Sequence, residues 1–557
     1  MKKENMLNGK WVSPEEAIGG SWRRIPSYCR IAMIGTFAAG LITHMFFLVN
    51  KLPNGDDLSE LYHYNSMISS GRWLDIVSKG LTSYYSIPWA TGLVCLILLA
   101  ISCALICSLL GIRRKSTVLA AAAVLAAFPT MASFFSYMYY MDLYMLTLLL
   151  NVLAVWLAGR RPAGFLPGAL LIALGLGNYQ AYLGVTAVLC LLVIIRNCLA
   201  EEKKPAQILA LSIRFLLMGI FGLILYFLIL RGILTFIPVD LSDYQGIAGM
   251  GWGALDAAAL LRIAKASYTG FLGYFYRDRF FTSPAAVKCL YSLLLLLSLA
   301  WFLIALVRRL KRELLPDGIG KIFLTLICLA FLPIAYNLIG FMAPDALLHS
   351  LMQPQYALFW LMPLMFFEVA YPWYKDGKKE TPETGDAMDN PGAGRKTSPF
   401  QGLSHWLLLG AAAGMVYFFF LTVNISYLHL YLKYEMTYAT ELRILDRIEA
   451  IPDYQSDTPV CVVGAFPNEN ISLYPYHTQD IVKGLVGING NLVHHYYNYN
   501  GFYKNYLGRQ LDFLKEDDPL KMEILTWQAV KDMPLWPKEG SVGIIDGVVV
   551  VKINDIP

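Results

Sequence analysis

The chain has 557 residues, of which 57% are hydrophobic and only 15% charged, too little polar surface for a water-soluble protein of this size. Its formal net charge is +5, and no basic stripe stands outside short connections between apolar runs, which excludes a nucleic-acid-binding surface. The nine cysteines make no disulfide framework either, because all but Cys461 lie in apolar runs or at their edges.

A helix needs about twenty apolar residues to cross a hydrocarbon layer of about 30 Å. After a polar stretch, residues 1–30, the first such run covers 31–50; it lacks the small-residue cleavage site of a signal peptide and reads as a retained helix. Further runs cover 89–111, 117–134, 143–158, 163–178, 181–195, 207–230, 284–307, 322–342, 355–373 and 404–424, about eleven in all. Alternate connections carry the positive charge: Lys2, Lys3, Lys10, Arg23, Arg24 and Arg30, then Arg113 to Lys115, Arg160 and Arg161, Arg196 with Lys203 and Lys204, Arg308 to Arg312, and Lys375 to Lys379. Positive charge collects in cytoplasmic loops, so the N-terminus is expected inside and the loops 51–88, 231–283 and 343–354 outside.

The runs 163–178 and 181–195 are short around Gly175, Gly177 and Asn178, and read either as two spans or as a re-entrant hairpin with the same exit side. Residues 375–403, rich in Gly, Pro and charge, read as a cytoplasmic linker. Beyond Val423 a periodic but charged segment is too polar to span and is expected to leave the membrane outward. The β-branched run TPVCVVGAF and the terminal SVGIIDGVVVVKI, with Asp546-Gly547 as a hairpin signal, predict strands. The expected architecture is an all-α polytopic membrane domain, residues 31–424, followed by a small extracytoplasmic α/β domain, residues 425–557.

Chemistry-bearing residues concentrate on the outward side. Asp56 and Asp57 stand together just after the first run. Neighbours on a helix point about 100° apart, so one can face a cavity while the other caps or meets water; equally, both can cap an interfacial helix. Asp142 is the single charge in FPTMASFFSYMYYMDLYMLTL, where it either faces water or a partner or caps a helix within an aromatic belt. The loop 231–283 holds Arg231, Arg262, Lys265, Arg277 and Arg279, more positive charge than an outward loop should carry.

Guanidinium forks match phosphate oxygens, at about 1.5 to 3 kcal/mol per charged hydrogen bond. These five residues are therefore candidates for holding a lipid-linked phosphate, although Arg262 and Lys265, three apart, also suit the wet face of an amphipathic helix. The run HHYYNYNGFYKNY at 494–506 offers either ring faces for sugars, with His494 and His495 as polar contacts, or a surface pressed on a membrane. No HExxH, CxxC or HxxxH spacing points to a metal, and PDGIGKI around Lys321 lacks the glycine spacing of a nucleotide-binding loop.

Asp56-Asp57-Leu58 is followed by Gly71-Arg72-Trp73-Leu74, then by Pro129 through Phe135-Ser136-Tyr137 to Asp142, and then by Tyr179-Gln180-Ala181. In this order and at these topological positions the motifs resemble the bacterial Gtr type II glucosyltransferases, serotype-converting membrane enzymes of the GT-C glycosyltransferase class. The likeness is carried by residues 31–200. It implies a GT-C-like fold in the bacterial plasma or inner membrane, and an inverting transferase that moves a hexose, typically glucose, from a polyprenyl-phosphate carrier to an extracytoplasmic envelope glycan such as an O-antigen. It further implies that Asp56 or Asp57 is the base and that Asp142 assists. Arg231, Arg277 or Arg279 is then expected on the donor phosphate, and Arg72, Trp73, Tyr137, Tyr179 and Gln180 at the sugars.

The partners expected on this resemblance are the polyprenyl-phosphate hexose, the glycan and membrane lipid; no cofactor is firmly implied, and a divalent cation is compatible. Trp73 departs from the proline expected at its position, and the tail is unusually rich in Tyr, which bears on the acceptor more than on the reaction. A competing reading is a transporter or flippase of a lipid-linked saccharide, which calls for ionisable residues at mid-bilayer and broken, repeated halves. Glu368 and Arg214 instead fall near cytoplasmic helix ends.

Overall fold

The structure is a computed structural model that describes residues 13–59, 61, 67–79, 85–200, 203–242, 257–311, 315–342, 348–372, 399–466, 472–473 and 475–555. Most of the expected linker, residues 373–398, lies outside the described residues.

A short helix α1 (Pro14–Arg24) starts where the Ser13 hydroxyl accepts from the Glu16 amide at 3.2 Å. It leads into α2 (Ser27–Val49), the single turn Asp56–Leu58, the four-residue α3 (Asp75–Ser78) and α4 (Pro88–Leu110). Next come α5 (Lys115–Ala127), α6 (Thr130–Ser136), α7 (Met141–Arg160), α8 (Phe165–Asn178), α9 (Leu183–Leu199) and α10 (Pro205–Phe236). They are followed by α11 (Ala257–Tyr276), α12 (Ala285–Leu310), α13 (Leu315–Tyr336), α14 (Ile339–Met342), α15 (Tyr356–Phe359), α16 (Met362–Ala370) and α17 (Pro399–Glu449). α2 packs on α4 and α5, α8 lies between α7 and α10, and α9 meets α13.

Among the described residues eight helices are long and apolar enough to cross a membrane, nine if α5 and α6 form one span, and Pro162–Asn178 and Tyr356–Ala370 are apolar but shorter. The run 117–134, expected as one straight helix, is broken: α5 and α6 meet at 52°. Pro129 sits at the joint, has no N–H to give to the preceding turn, and pushes the residue before it out of helical geometry. The run 404–424, by contrast, belongs to a much longer element. The 51 residues of α17 reach about 77 Å at the α-helical rise, more than twice a hydrocarbon layer of about 30 Å.

The charged connections gather at one end of the bundle. There Glu368 accepts from the Arg114 amide at 2.9 Å and the Thr117 hydroxyl at 2.6 Å, and pairs with the Arg114 guanidinium at 3.3 Å. Arg308 donates to the Ala370 carbonyl, and Arg113 lies over the Tyr28 ring.

At the other end α17 runs on into a C-terminal α/β unit. It comprises β1 (Pro459–Val463), α18 (Tyr476–Val482), α19 (Tyr496–Phe502), β2 (Asp512–Phe513), α20 (Pro519–Ile524), α21 (Gln528–Asp532), β3 (Val542–Ile545) and β4 (Val548–Lys552). The sheet order is β2-β1-β4-β3, with β1 parallel to both neighbours and β3-β4 an antiparallel hairpin. Asp546 and Gly547 close that hairpin with φ of 49° and 79°, the left-handed pair that a tight hairpin turn requires. Ile444, Leu445 and Ile448 of α17 share a core with Val460, Phe513, Trp536 and Val549, so the far end of α17 is the unit's central helix. Three polar pins fasten it: His429 to the Thr478 hydroxyl at 2.8 Å, the Lys433 ammonium to the Ile488 carbonyl at 2.6 Å, and the Tyr503 hydroxyl to Glu441 at 2.9 Å.

Candidate functional site

The turn that carries the paired acids is held by an exchange between side chain and backbone. The Asp57 amide donates to Asn54 Oδ1 and the Asn54 amide to Asp57 Oδ2, both at 3.0 Å. The other carboxylate oxygen accepts from the Tyr139 amide at 3.2 Å, and the Asn54 side chain donates to the Ser136 carbonyl at 2.9 Å. Asp57 is 0% exposed, and burial pushes its carboxyl up to about 8 against the pull of the backbone N–H groups of Asn54, Tyr139 and Met138. Asp56 is only half-buried.

The two acids therefore divide: Asp57 stitches the turn to the segment 136–139, and Asp56 is the one within reach of solvent. Asp57→Asn turns one acceptor oxygen into an NH2 group facing a backbone donor, which costs about 1 to 3 kcal/mol. A lowered melting temperature of the purified protein checks this; an unchanged one means that the turn does not depend on Asp57.

A second cluster forms on α11. Arg262, Arg277 and Arg279 line a cavity of about 600 Å³ together with Ser267, Thr269 and Asn337. Asn337 is fixed by its amide donating to the Ser267 carbonyl at 3.0 Å and by the Gln353 amide donating to its oxygen at 3.0 Å. Three forked cations suit a phosphate-sized anion, while the Ser267 and Thr269 hydroxyls already donate to carbonyls of their own helix. Arg231 on α10 and Lys265 on α11 are exposed and are not among the groups lining this cavity.

Further polar groups stand near each cluster. Arg279 donates to the Leu348 carbonyl at 3.3 Å, and the next residue, His349, is driven down to about 4 by burial and then by the charge of Arg72. The Arg72 guanidinium lies 4.6 Å from the Tyr179 ring centroid and 5.7 Å from that of Tyr140. The Tyr139 phenol lies within electrostatic reach of Asp56, Asp57 and Arg72, and with burial the two acids hold it above the ordinary phenol range. Because the folded imidazole of His349 titrates below its free value of about 6.5, the stability it lends is complete above that pH. It is lost as the pH falls toward 4, and His349→Gln should flatten the difference in melting temperature between neutral and acid buffer.

Of the remaining sequence candidates, Tyr137 is half-buried and its ring meets Tyr139 edge-on with centroids 6.2 Å apart. Trp73 is turned into the interior: a Cβ on Gly177 would stand 2.7 Å from its indole, so only glycine lets the ring lie there. Gln180 is buried and donates to the Ser70 carbonyl at 2.8 Å, supporting the Arg72 loop from behind. Asp142 is 3% exposed in the first turn of α7 and accepts from the Leu143 amide at 3.0 Å, where a negative charge complements the helix dipole.

The C-terminal unit covers this end of the bundle. The Gly484 amide donates to the Phe280 carbonyl at 3.2 Å, the Thr282 hydroxyl to the Asp480 carbonyl at 2.7 Å, and the Val486 amide to the Ser350 hydroxyl at 3.0 Å. Nearer the acids, Asn498 donates to the Gly55 carbonyl at 2.8 Å and Asn505 to the Leu58 carbonyl at 2.7 Å. Residues 494–506, expected to offer ring faces or to press on a membrane, thus also grip the acid turn, while Tyr499 and Tyr503 of the same run pack on Phe513 inside the unit. His349 and Asn337 escaped the sequence reading because neither belongs to a local pattern, and within the run 494–506 the rings and histidines drew the eye rather than Asn498 and Asn505. Among the described residues no three of His, Cys, Asp and Glu are grouped so as to hold a metal ion.

The family model described as Glucosyl transferase GtrII matches residues 45–367, more than half of the chain, a stretch that contains both acids and the three cavity arginines and ends before α17. No curated protein and no solved structure matches the chain.

Proposed function

Since the chain belongs to the glucosyl transferase GtrII family, and is thus a glucosyltransferase built on apolar membrane helices, we propose that it transfers a hexose, glucose in the first instance, from a polyprenyl-phosphate donor to a glycan of the cell envelope. Transfer takes place with inversion on the extracytoplasmic side of a bacterial plasma membrane. The gathering of the Arg-rich connections at the opposite end of the bundle supports that orientation.

The observation that supports the reading is a half-buried carboxylate at Asp56 and a cavity lined by three arginines, both at the end of the bundle that the C-terminal unit contacts. The Asp56 carboxylate takes the proton of an acceptor hydroxyl, whose oxygen attacks C1 of the hexose. The bond from C1 to the phosphate oxygen breaks, and the electron pair leaves with the polyprenyl phosphate. Charge developing on that phosphate is met by Arg277, Arg279 and Arg262. The sugar ring passes through an oxocarbenium-like state, beside the aromatic faces of Tyr137 and Tyr179 and the Arg72 guanidinium. Trp73 and Gln180 shape the loop behind them, and Asp142 is the second, assisting acid. A lipid donor also accounts for the membrane setting, because the polyprenyl tail stays in hydrocarbon while its phosphate is held at the boundary.

Purified protein supplied with polyprenyl-phosphate glucose and envelope glycan tests the reading by mass analysis. One hexose gained by the glycan for each polyprenyl phosphate released is the expected result. Donor that crosses the bilayer without being consumed overturns it in favour of a flippase.

A further inference from the structure

We infer that Asn498 and Asn505 are positioning residues for Asp56, so that the C-terminal unit, which lies outside the family match at 45–367, is part of the transfer machinery. The inference rests on the proposed role of Asp56 as the base.

Side chains rather than its own backbone hold the acid turn: Asn54 and Asp57 tie its start, and what holds the carbonyls flanking the acids comes from outside the turn. Its internal backbone bond, from the Leu58 amide to the Gly55 carbonyl, is 3.4 Å long, beyond the range of a strong N–H···O contact. The carbonyls of Gly55 and Leu58, which flank the two acids, are the groups that the two asparagine amides hold, at 2.8 and 2.7 Å. Asn498 belongs to α19 and Asn505 to the π-helical turn Tyr503–Leu507 that continues it, with Gly501 between them. A Cβ on Gly501 would stand 2.7 Å from Ser59 Oγ and 2.8 Å from the Leu58 carbonyl carbon; glycine alone lets the helix backbone rest on the turn. Gly55 answers from the other side, where a Cβ would come to 3.1 Å from the Leu492 carbonyl oxygen. The Ser59 hydroxyl adds a bond to the Tyr497 carbonyl at 2.9 Å. Asn498 is 0% exposed.

A contact of this kind fixes the attitude of the carboxylate between the two clamped carbonyls and leaves the arginine cavity untouched. Misplacing a reacting group by about 1 Å costs on the order of a hundredfold in rate. The full-length protein in lipid nanodiscs, assayed with polyprenyl-phosphate glucose and glycan, separates the possibilities. Asn498→Ala and Asn505→Ala are expected to lower kcat by about 10- to 100-fold, with donor KM kept and the melting temperature lowered no further than in Asp57→Asn. Gly501→Ala, which removes no polar group and only pushes the helix off the turn, should show the same signature and serves if an asparagine variant does not fold.

Unaltered kcat in all three variants overturns the inference. So does a loss in which donor KM and melting temperature change together with kcat, because that is simple support of the fold. Asp56→Asn run in parallel keeps the two ideas apart. An inactive Asp56→Asn with fully active asparagine variants removes only the positioning role, whereas an active Asp56→Asn removes the base itself.

Discussion

Asp56→Asn lowers hexose transfer by about a hundredfold to ten-thousandfold, the range that a positioned general base supplies, while the protein inserts, purifies and melts as before. The size of the loss follows from chemistry: a carboxamide matches the carboxylate in shape but cannot take the hydroxyl proton. The absence of a folding effect follows from position, because Asp56 is half-buried and Asp57 carries the backbone of the turn. Donor KM should stay near its original value, since the proposed phosphate site is the separate arginine cavity at α11 and the segment after it. The decisive comparison is with Asp57→Asn, which should lose stability first. Full transfer by Asp56→Asn with none by a folded Asp57→Asn would exchange the two roles.

Removing the forks of Arg277 and Arg279 together should have the second large effect, on the donor. Two charged hydrogen bonds at about 1.5 to 3 kcal/mol each correspond to a donor KM raised by about a hundredfold to ten-thousandfold. Lysine at either position restores charge without the parallel pair of donors, so it recovers part of the affinity and steepens the salt dependence. Arg231→Ala and Lys265→Ala serve as controls with small expected changes, because neither side chain lines the cavity. If these exposed cations matter as much as the cavity pair, the phosphate is held elsewhere and the site on α11 is wrong.

Particular residues show how far the sequence could be read. Helices stand at the apolar runs because hydropathy alone decides which segments lipid accepts, and the Asp546-Gly547 hairpin follows from the geometry that only such pairs adopt cheaply. The bend at Pro129 was within reach, since proline cannot continue a helix, but hydropathy does not register a missing N–H. Nor does a window tuned to the bilayer show that the run at 404–424 and the polar stretch behind it are one helix, α17.

Within the site the acids and three of the five loop cations were legible by type, because charge on the wrong side of a membrane is conspicuous. Their division of labour was not. Nothing in the pair Asp56-Asp57 says which carboxylate meets backbone donors from a segment some eighty positions away. Nor could the sequence show the seat of Trp73, which depends on Gly177, about a hundred positions away. Asn498 and Asn505 are more than four hundred positions from the carbonyls they bind, and an amide that recognises a carbonyl leaves no spacing to detect.

The C-terminal unit is fixed from below by α17, with its pins at His429, Lys433 and Glu441, and from the side by Asn498 and Asn505. Two separate moorings share the restraint, so cutting the asparagine contacts alone is expected to leave the unit tethered through the long helix while freeing the acid turn beneath it.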